Sequence, residues 1–264
     1  MCHSLLLMVM VLVLGCWRPA TATPLLPVDS PFSPPSCCAR DERERERERE
    51  RDETVGVGDG PADPMGETKV YTVKFEDDEI ITTVTSSGEA VEGWLDEIYS
   101  VHRRRLHKLV VGLDVEWRPL FGPGYSPTAL LQLCVGRRCL IFQLIHADYF
   151  PEALDEFLDD PDFRFVGVGV DADAERLFND YDLDVATTVD LGELAAEEMG
   201  RPDLRHAGLK AVASAVMDVT VDKPQWVRTG PWDNYYLSGE QIQYACVDAF
   251  VSFEVGRMLL SGNY

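Results

Sequence analysis

Leu109-Val110-Val111-Gly112-Leu113-Asp114-Val115-Glu116-Trp117 is the stretch that decides the fold. Its first five residues form a short, unbroken apolar run, the pattern of a strand buried on both faces. Two carboxylates follow, two positions apart. Side chains at i and i+2 of a strand share a face, so Asp114 and Glu116 are expected to project together from the end of a central strand. In open α/β sheets that is where ligands gather. Two like charges so close are costly without a cation. A solvated strand end would still explain this pair if it stood alone.

Upstream, residues 70–75 alternate and residues 80–85 are β-branched throughout, with Asp77-Asp78 between them, which predicts a hairpin. Ser86-Ser87-Gly88-Glu89 reads as a helix start, with Val91, Trp94, Leu95 and Ile98 on one face. Downstream, residues 129–135 and 139–144 read as strands joined by Gly136-Arg137-Arg138. Residues 153–158 are helical, 164–170 form a second buried strand, and 172–180 form a helix. A short strand over 188–191 precedes helices over 191–199 and 209–217. An aromatic, irregular stretch over 226–236 leads to a long final helix over 239–260. Antiparallel strands first, then strands alternating with helices, imply a single α/β domain over 66–264, a mixed β-sheet flanked by helices.

The chain has 264 residues and a net charge of −22. That charge argues against a protein that coats DNA, because non-specific affinity grows with the phosphates neutralised. An enzyme that holds one strand end through metal ions remains compatible with it. Seven cysteines without a CxxC pair point to reduced thiols rather than a disulfide framework or a zinc site. Residues 1–65 read as a disordered extension. In it, the apolar run 5–14 and Ala20-Thr21-Ala22 have the form of a signal peptide over 1–22, although no Lys or Arg precedes the run. The run is far shorter than the roughly 20 residues that span a bilayer, so no stable membrane insertion is expected. Residues 40–51 alternate Glu and Arg and are too polar to bury a core.

Two more acidic positions stand out. Asp173, in Val166-Gly167-Val168-Gly169-Val170-Asp171-Ala172-Asp173, falls at a helix start, where capping alone would account for it. Asp171 competes with it for a metal role. Tyr244 and Asp248 share a helical face at i and i+4 among small and apolar neighbours. An Asp in so apolar a helix is expensive unless it is paired or metal-bound; a hydrogen bond to backbone or an arginine is the alternative. Four such carboxylates suit Mg²⁺ or Mn²⁺. Two such ions about 3.5–4 Å apart can serve phosphodiester cleavage.

The order and spacing of these segments resemble the DEDD exonuclease superfamily, in the subgroup with tyrosine in its third motif. The likeness is greatest to Werner-syndrome-type exonucleases, especially the stand-alone plant proteins. Leu113-Asp114-Val115-Glu116-Trp117, Gly167-Val168-Gly169 with Asp173, and Tyr244-Ala245-Cys246-Val247-Asp248 carry it, from about Lys69 to the C-terminus. The resemblance selects Asp173 over Asp171 and implies a ribonuclease H-like fold. It implies 3′–5′ exonuclease activity with two divalent ions, releasing nucleoside monophosphates from single-stranded or recessed 3′ ends of DNA, with RNA as the other substrate. Asp114 would bridge both ions, Glu116 and Asp248 would complete the inner site, and Asp173 would serve the outer ion. Tyr244 would orient the attacking water, its ordinary pKa near 10 favouring that over proton abstraction. Trp232 matches a family tryptophan read as core, and Glu175 stands where some relatives carry an aromatic.

Arg103, Arg104, Arg118, Arg205 and Lys210 are candidates for phosphate contacts along a strand-end cleft, against the default of a solvated surface. No helicase motif follows, so unwinding would come from a separate helicase. The family and the reduced cysteines point to the nucleus or cytoplasm, the apolar start to the secretory pathway. Two rival functions stay open. One is a non-catalytic adaptor that binds nucleic acid or a helicase. The other is a different metal-dependent phosphodiesterase, because fold alone does not fix substrate.

Overall fold

The computed structural model describes residues 67–264, which lie in one compact unit, Gly60–Tyr264. The expected signal peptide and the Glu-Arg alternation lie outside the described residues. Seven strands form one mixed sheet in the order β1-β2-β5-β4-β3-β6-β7. The hairpin of β1 (Thr68–Phe75) and β2 (Asp78–Thr85) makes one edge. β3 (Val110–Trp117), β4 (Thr128–Val135) and β5 (Arg138–Phe142) form an antiparallel meander. β2 joins β5 in parallel, while β6 (Arg164–Gly167) and β7 (Thr188–Asp190) continue beyond β3 in parallel. Every residue of β4 is buried, as its near-continuous apolar sequence requires of a central strand.

The helices are α1 (Gly88–His102), α2 (Glu152–Leu158), α3 (Val170–Tyr181), α4 (Leu191–Glu198), α5 (Leu209–Met217), α6 (Gln225–Arg228) and α7 (Gly239–Ser261). Ser87 caps α1 by accepting from the Ala90 N–H. A reciprocal Ser238–Gln241 capping box opens α7, and Gly262 in the left-handed conformation closes it. Consecutive residues of β6 show that both faces of the sheet are covered. Phe165 meets Phe157 of α2 at 5.8 Å between ring centroids, and Val166, pointing the other way, packs on Gly256 of α7. No helix of the described residues is long and apolar enough to cross a membrane.

α7 lies unusually close to the sheet. A Cβ on Gly112 would sit 2.0 Å from the Ala249 carbonyl oxygen, and one on Gly256 would sit 2.7 Å from the Val166 side chain. The two glycines let the helix backbone rest on β3 and β6. Asp248 is the residue before Ala249, so this contact delivers it to the strand that carries Asp114.

Several boundaries differ from the sequence reading, and the short helix α6 begins the stretch over 226–236 that reads as irregular. The central strand continues through both carboxylates to Trp117, with Asp114 opposite Gln132 and Glu116 opposite Leu130. The second buried strand stops at Gly167, because Gly169 adopts φ 76° and Val170 already begins α3. The strand after Gly136 ends at Phe142, and Leu144–His146 forms a 3-10 turn.

Candidate metal centre

Carboxylate oxygens of Asp114, Glu116 and Asp248 all lie within 4.8 Å of one another. The two-residue period of β3 and the close seat of α7 bring them together. Desolvation, then the charges of Asp248, Glu116 and Asp173, hold the Asp114 carboxyl well above the ordinary range. Glu116 is pushed up to about 9, first by desolvation and next by Asp248. Asp248 is raised by desolvation as well, and Lys223 opposes the rise. The fold has gathered three acids where solvent is scarce, and each is pushed toward its protonated form. An all-oxygen donor set of this kind fits a hard divalent cation, whose charge would replace the bound protons.

Asp173 stands outside that trio. It occupies the first turn of α3, is half-buried, and is raised to about 7 by desolvation, with Arg176 pulling the other way. Its charge still reaches Asp114 and Glu116. Asp171 is exposed and accepts a hydrogen bond from the Thr188 hydroxyl, so it is engaged on the β7 side. Asp190 fixes the turn before α3: one of its oxygens accepts from the Gly169 N–H at 2.7 Å while the other caps α4. Tyr244 is buried, with its ring 5.7 Å from that of Trp232. Desolvation and then the charges of Asp248, Glu116 and Asp114 push its hydroxyl far up. Trp232 is fully buried, in keeping with a core role.

The sequence reading missed two cations and an amide. Lys223 donates from Nζ to Asp248 Oδ2 at 2.6 Å and lies 5.4 Å from the Tyr244 ring centroid. It sits in a loop 25 residues before Asp248, a separation that no local period encodes. Arg176 lies over Trp117 at 4.0 Å and donates to the Ser126 carbonyl at 2.7 Å. Its i+3 spacing from Asp173 was a usable signal. Gln132, opposite Asp114 on β4, is fully buried, and neither of its amide atoms has a partner among the described residues. A cavity of about 370 Å³ shares Tyr244 and Asp248 with the centre and is walled further by Phe75, Trp226 and Val247. That volume is within the range of small-molecule sites.

The basic candidates scatter. Arg118 follows β3 directly, but its Nε donates to Asp233 at 2.5 Å. Arg205 pairs with Glu197 at 3.5 Å, and its carbonyl lies near Gly192 at the start of α4. Lys210 is exposed on the first turn of α5. Arg103 and Arg104 do not line the strand-end cleft. They lie in the loop that feeds β3, whereas the carboxylates are four and six residues further along that strand.

A mixed α/β sheet with helices on both faces and a partly buried carboxylate trio at the end of its central strand defines the class: a ribonuclease H-like fold with an acidic group that could hold a divalent cation. Residues 84–261 match the family model described as 3′–5′ exonuclease, and the chain belongs to that family. An Arabidopsis thaliana protein named 3′–5′ exonuclease is 34% identical over 152 residues, covering 56% of this chain and 52% of that one. The mouse bifunctional 3′–5′ exonuclease/ATP-dependent helicase WRN is 30% identical over 152 residues, 57% of this chain and 11% of that one. Human exonuclease 3′–5′ domain-containing protein 2 is 34% identical over 183 residues, 67% of this chain and 29% of its own length. The chain thus spans about half the length of the Arabidopsis relative and less of the others. Escherichia coli RNase D, an exoribonuclease, shares the fold with a TM-score of 0.52 at 21% identity, over 64% of this chain and 43% of that one.

Proposed function

We propose that this chain is a two-metal 3′–5′ exonuclease that hydrolyses the terminal phosphodiester of a nucleic acid and releases nucleoside monophosphates. The observation that carries the reading is the convergence of Asp114, Glu116 and Asp248 within 4.8 Å in a family of 3′–5′ exonucleases. Asp114, Glu116 and Asp248 would hold Mg²⁺ or Mn²⁺, with Asp173 serving a second ion from outside the trio. Bound there, the ions would supply positive charge that acidifies a water and stabilises the leaving 3′ oxygen. A water oxygen bonds to the terminal phosphorus, and the phosphorus–O3′ bond breaks. The water's proton passes to solvent, and the departing O3′ takes up a proton from solvent, which leaves the shortened strand with a 3′ hydroxyl.

Tyr244 keeps its hydroxyl proton at neutral pH, since burial and three carboxylates disfavour its anion. It therefore acts as a hydrogen-bonding group that orients water and phosphate, not as a base. The likeness to Werner-type exonucleases favours DNA over RNA, and a separate helicase is the partner we propose for duplex substrates.

The test incubates the purified protein with 5′-labelled single-stranded and recessed DNA, and with RNA, with and without Mg²⁺ or Mn²⁺. A metal-dependent ladder of shortened products, absent in Asp114→Ala, is the expected result. Binding without cleavage would establish the adaptor instead. Turnover of small phosphodiesters alone would establish a different phosphodiesterase.

A further inference from the structure

The loop after α1 and the turn between β4 and β5 meet at the end of β3 remote from the carboxylates. The end of α1 and the segment after it carry His102, Arg103, Arg104, Arg105, His107 and Lys108, and the turn with the first residue of β5 carries Arg137 and Arg138. A Cβ on Gly136 would lie 4.0 Å from the His102 imidazole, so the two segments are neighbours. The His102 imidazole is held below its ordinary value by desolvation and then by the charges of Arg138 and Arg105. Two of the cations are neutralised, Arg138 by Glu97 at 2.5 Å and Arg137 by Asp78. Arg103, Arg104 and Arg105 are exposed and enter no ion pair among the described residues, and neither does Lys108. The chain has 46 acidic residues against 24 lysines and arginines, yet these cations stand together without a carboxylate partner among the described residues. In so acidic a molecule, this is a local positive field facing solvent, able to attract a polyanion that the rest of the surface repels.

We propose that this basic pole binds the sugar–phosphate backbone of the nucleic acid upstream of its 3′ end, as an anchoring site separate from the cleavage centre. Six residue steps of β3 separate Val110 from Glu116, roughly 20 Å at the strand rise of about 3.3 Å per residue. At about 3.4 Å per nucleotide along one strand of a duplex, about six stacked nucleotides cover that length. A strand whose 3′ end lies at the carboxylates therefore reaches this site only when it is several nucleotides long, and a longer strand offers the pole more phosphates. The pole would retain a long strand between successive cuts. The inference rests on the nuclease reading only for what happens at the 3′ end, since the anchoring itself can be measured without cleavage.

The experiment uses the full chain in EDTA and reads fluorescence anisotropy with a 24-mer and a 4-mer of single-stranded DNA across a salt series. The wild-type protein is expected to hold the 24-mer roughly tenfold or more tighter than the 4-mer. In Arg103→Ala/Arg104→Ala/Arg105→Ala that length advantage disappears, and the slope of log K against log salt becomes shallower by about 2, at about 0.7 for each charge lost. The triple Arg→Lys protein keeps both, which separates charge from damage to the loop. Equal wild-type affinity for the two lengths, or an alanine variant that keeps the 24-mer affinity, overturns the proposal. So does binding to phosphatidylserine vesicles without binding to the 24-mer, which assigns the pole to a membrane surface. If the alanine variant loses the length advantage but the wild-type protein gives no ladder with metal, the nuclease reading is lost and the anchor stands. One that gives a ladder while the alanine variant binds normally loses the anchor alone.

Discussion

Glu116 holds its proton up to about pH 9 in the metal-free protein, and Asp173 up to about 7. Cation binding must expel those protons. Calorimetry in buffers of different ionisation enthalpy should therefore register proton release, and Mn²⁺ affinity should climb between about pH 6 and pH 9. The same shifts set a sign for stability. Both folded values lie above the ordinary carboxylate values, so their contribution is intact below about pH 4 and is lost as pH rises through 7 and then 9. The melting temperature in EDTA should fall across that window, and saturating Mn²⁺ should flatten the decline. Tyr244→Phe tests the orienting hydroxyl: turnover should fall about 10²-fold with little change in KM, read by steady-state cleavage of a labelled strand. Much of this centre could be read from the chain, because Asp114 and Glu116 obey a strand period and Tyr244 and Asp248 a helical one. Spacing left Asp171 and Asp173 both open; Asp171 is exposed beside Thr188, while Asp173 is half-buried and its charge reaches Asp114 and Glu116. Lys223 was hidden for a related reason: its contact with Asp248 is made by loop geometry.

At the scale of elements, the approach of α7 to β3 places Asp248 beside Asp114. Gly112→Ala would put a methyl group 2.0 Å from a helix carbonyl that has no freedom to rotate away. Urea unfolding should show a loss of about 3 kcal/mol or more, at or beyond the usual range for overpacking. Gly93→Ala on α1 is the matched control, since nothing lies within 4 Å of its added Cβ. It should gain about 0.5–1 kcal/mol from helix propensity. If both substitutions proved neutral, the close seat of the helix would be wrong. The glycine in the apolar run was visible in the sequence, but the helix it admits lies more than a hundred residues away. The strand over 164–170 was read too long for a comparable reason. Val168 and Val170 continue the apolar pattern, while the turn that breaks it depends on Gly169 at φ 76° and on Asp190, which binds the Gly169 N–H from across β7.

For the whole molecule, alternation of strands and helices identified a mixed sheet, but not that β2 would lie beside β5. Parallel neighbours are joined by long crossovers, and the register Thr83↔Leu140 links residues too far apart for local pattern to specify. The proposed metal site would have a structural role as well, because its three acids belong to β3 and α7. A cation held by all three would tie the central strand to the last helix and would bind only the folded chain. At a free concentration a hundredfold above its Kd, Mn²⁺ should add about 2.7 kcal/mol to the unfolding free energy. Hydrogen exchange should slow along α7 and β3 together. Asp248→Ala should lose this response while keeping its fold in EDTA, where removal of one buried carboxyl relieves repulsion on Asp114. Equal stabilisation of wild type and Asp248→Ala by Mn²⁺ would mean that the ion binds elsewhere, and the trio would then be a buried acid cluster without a cation to hold.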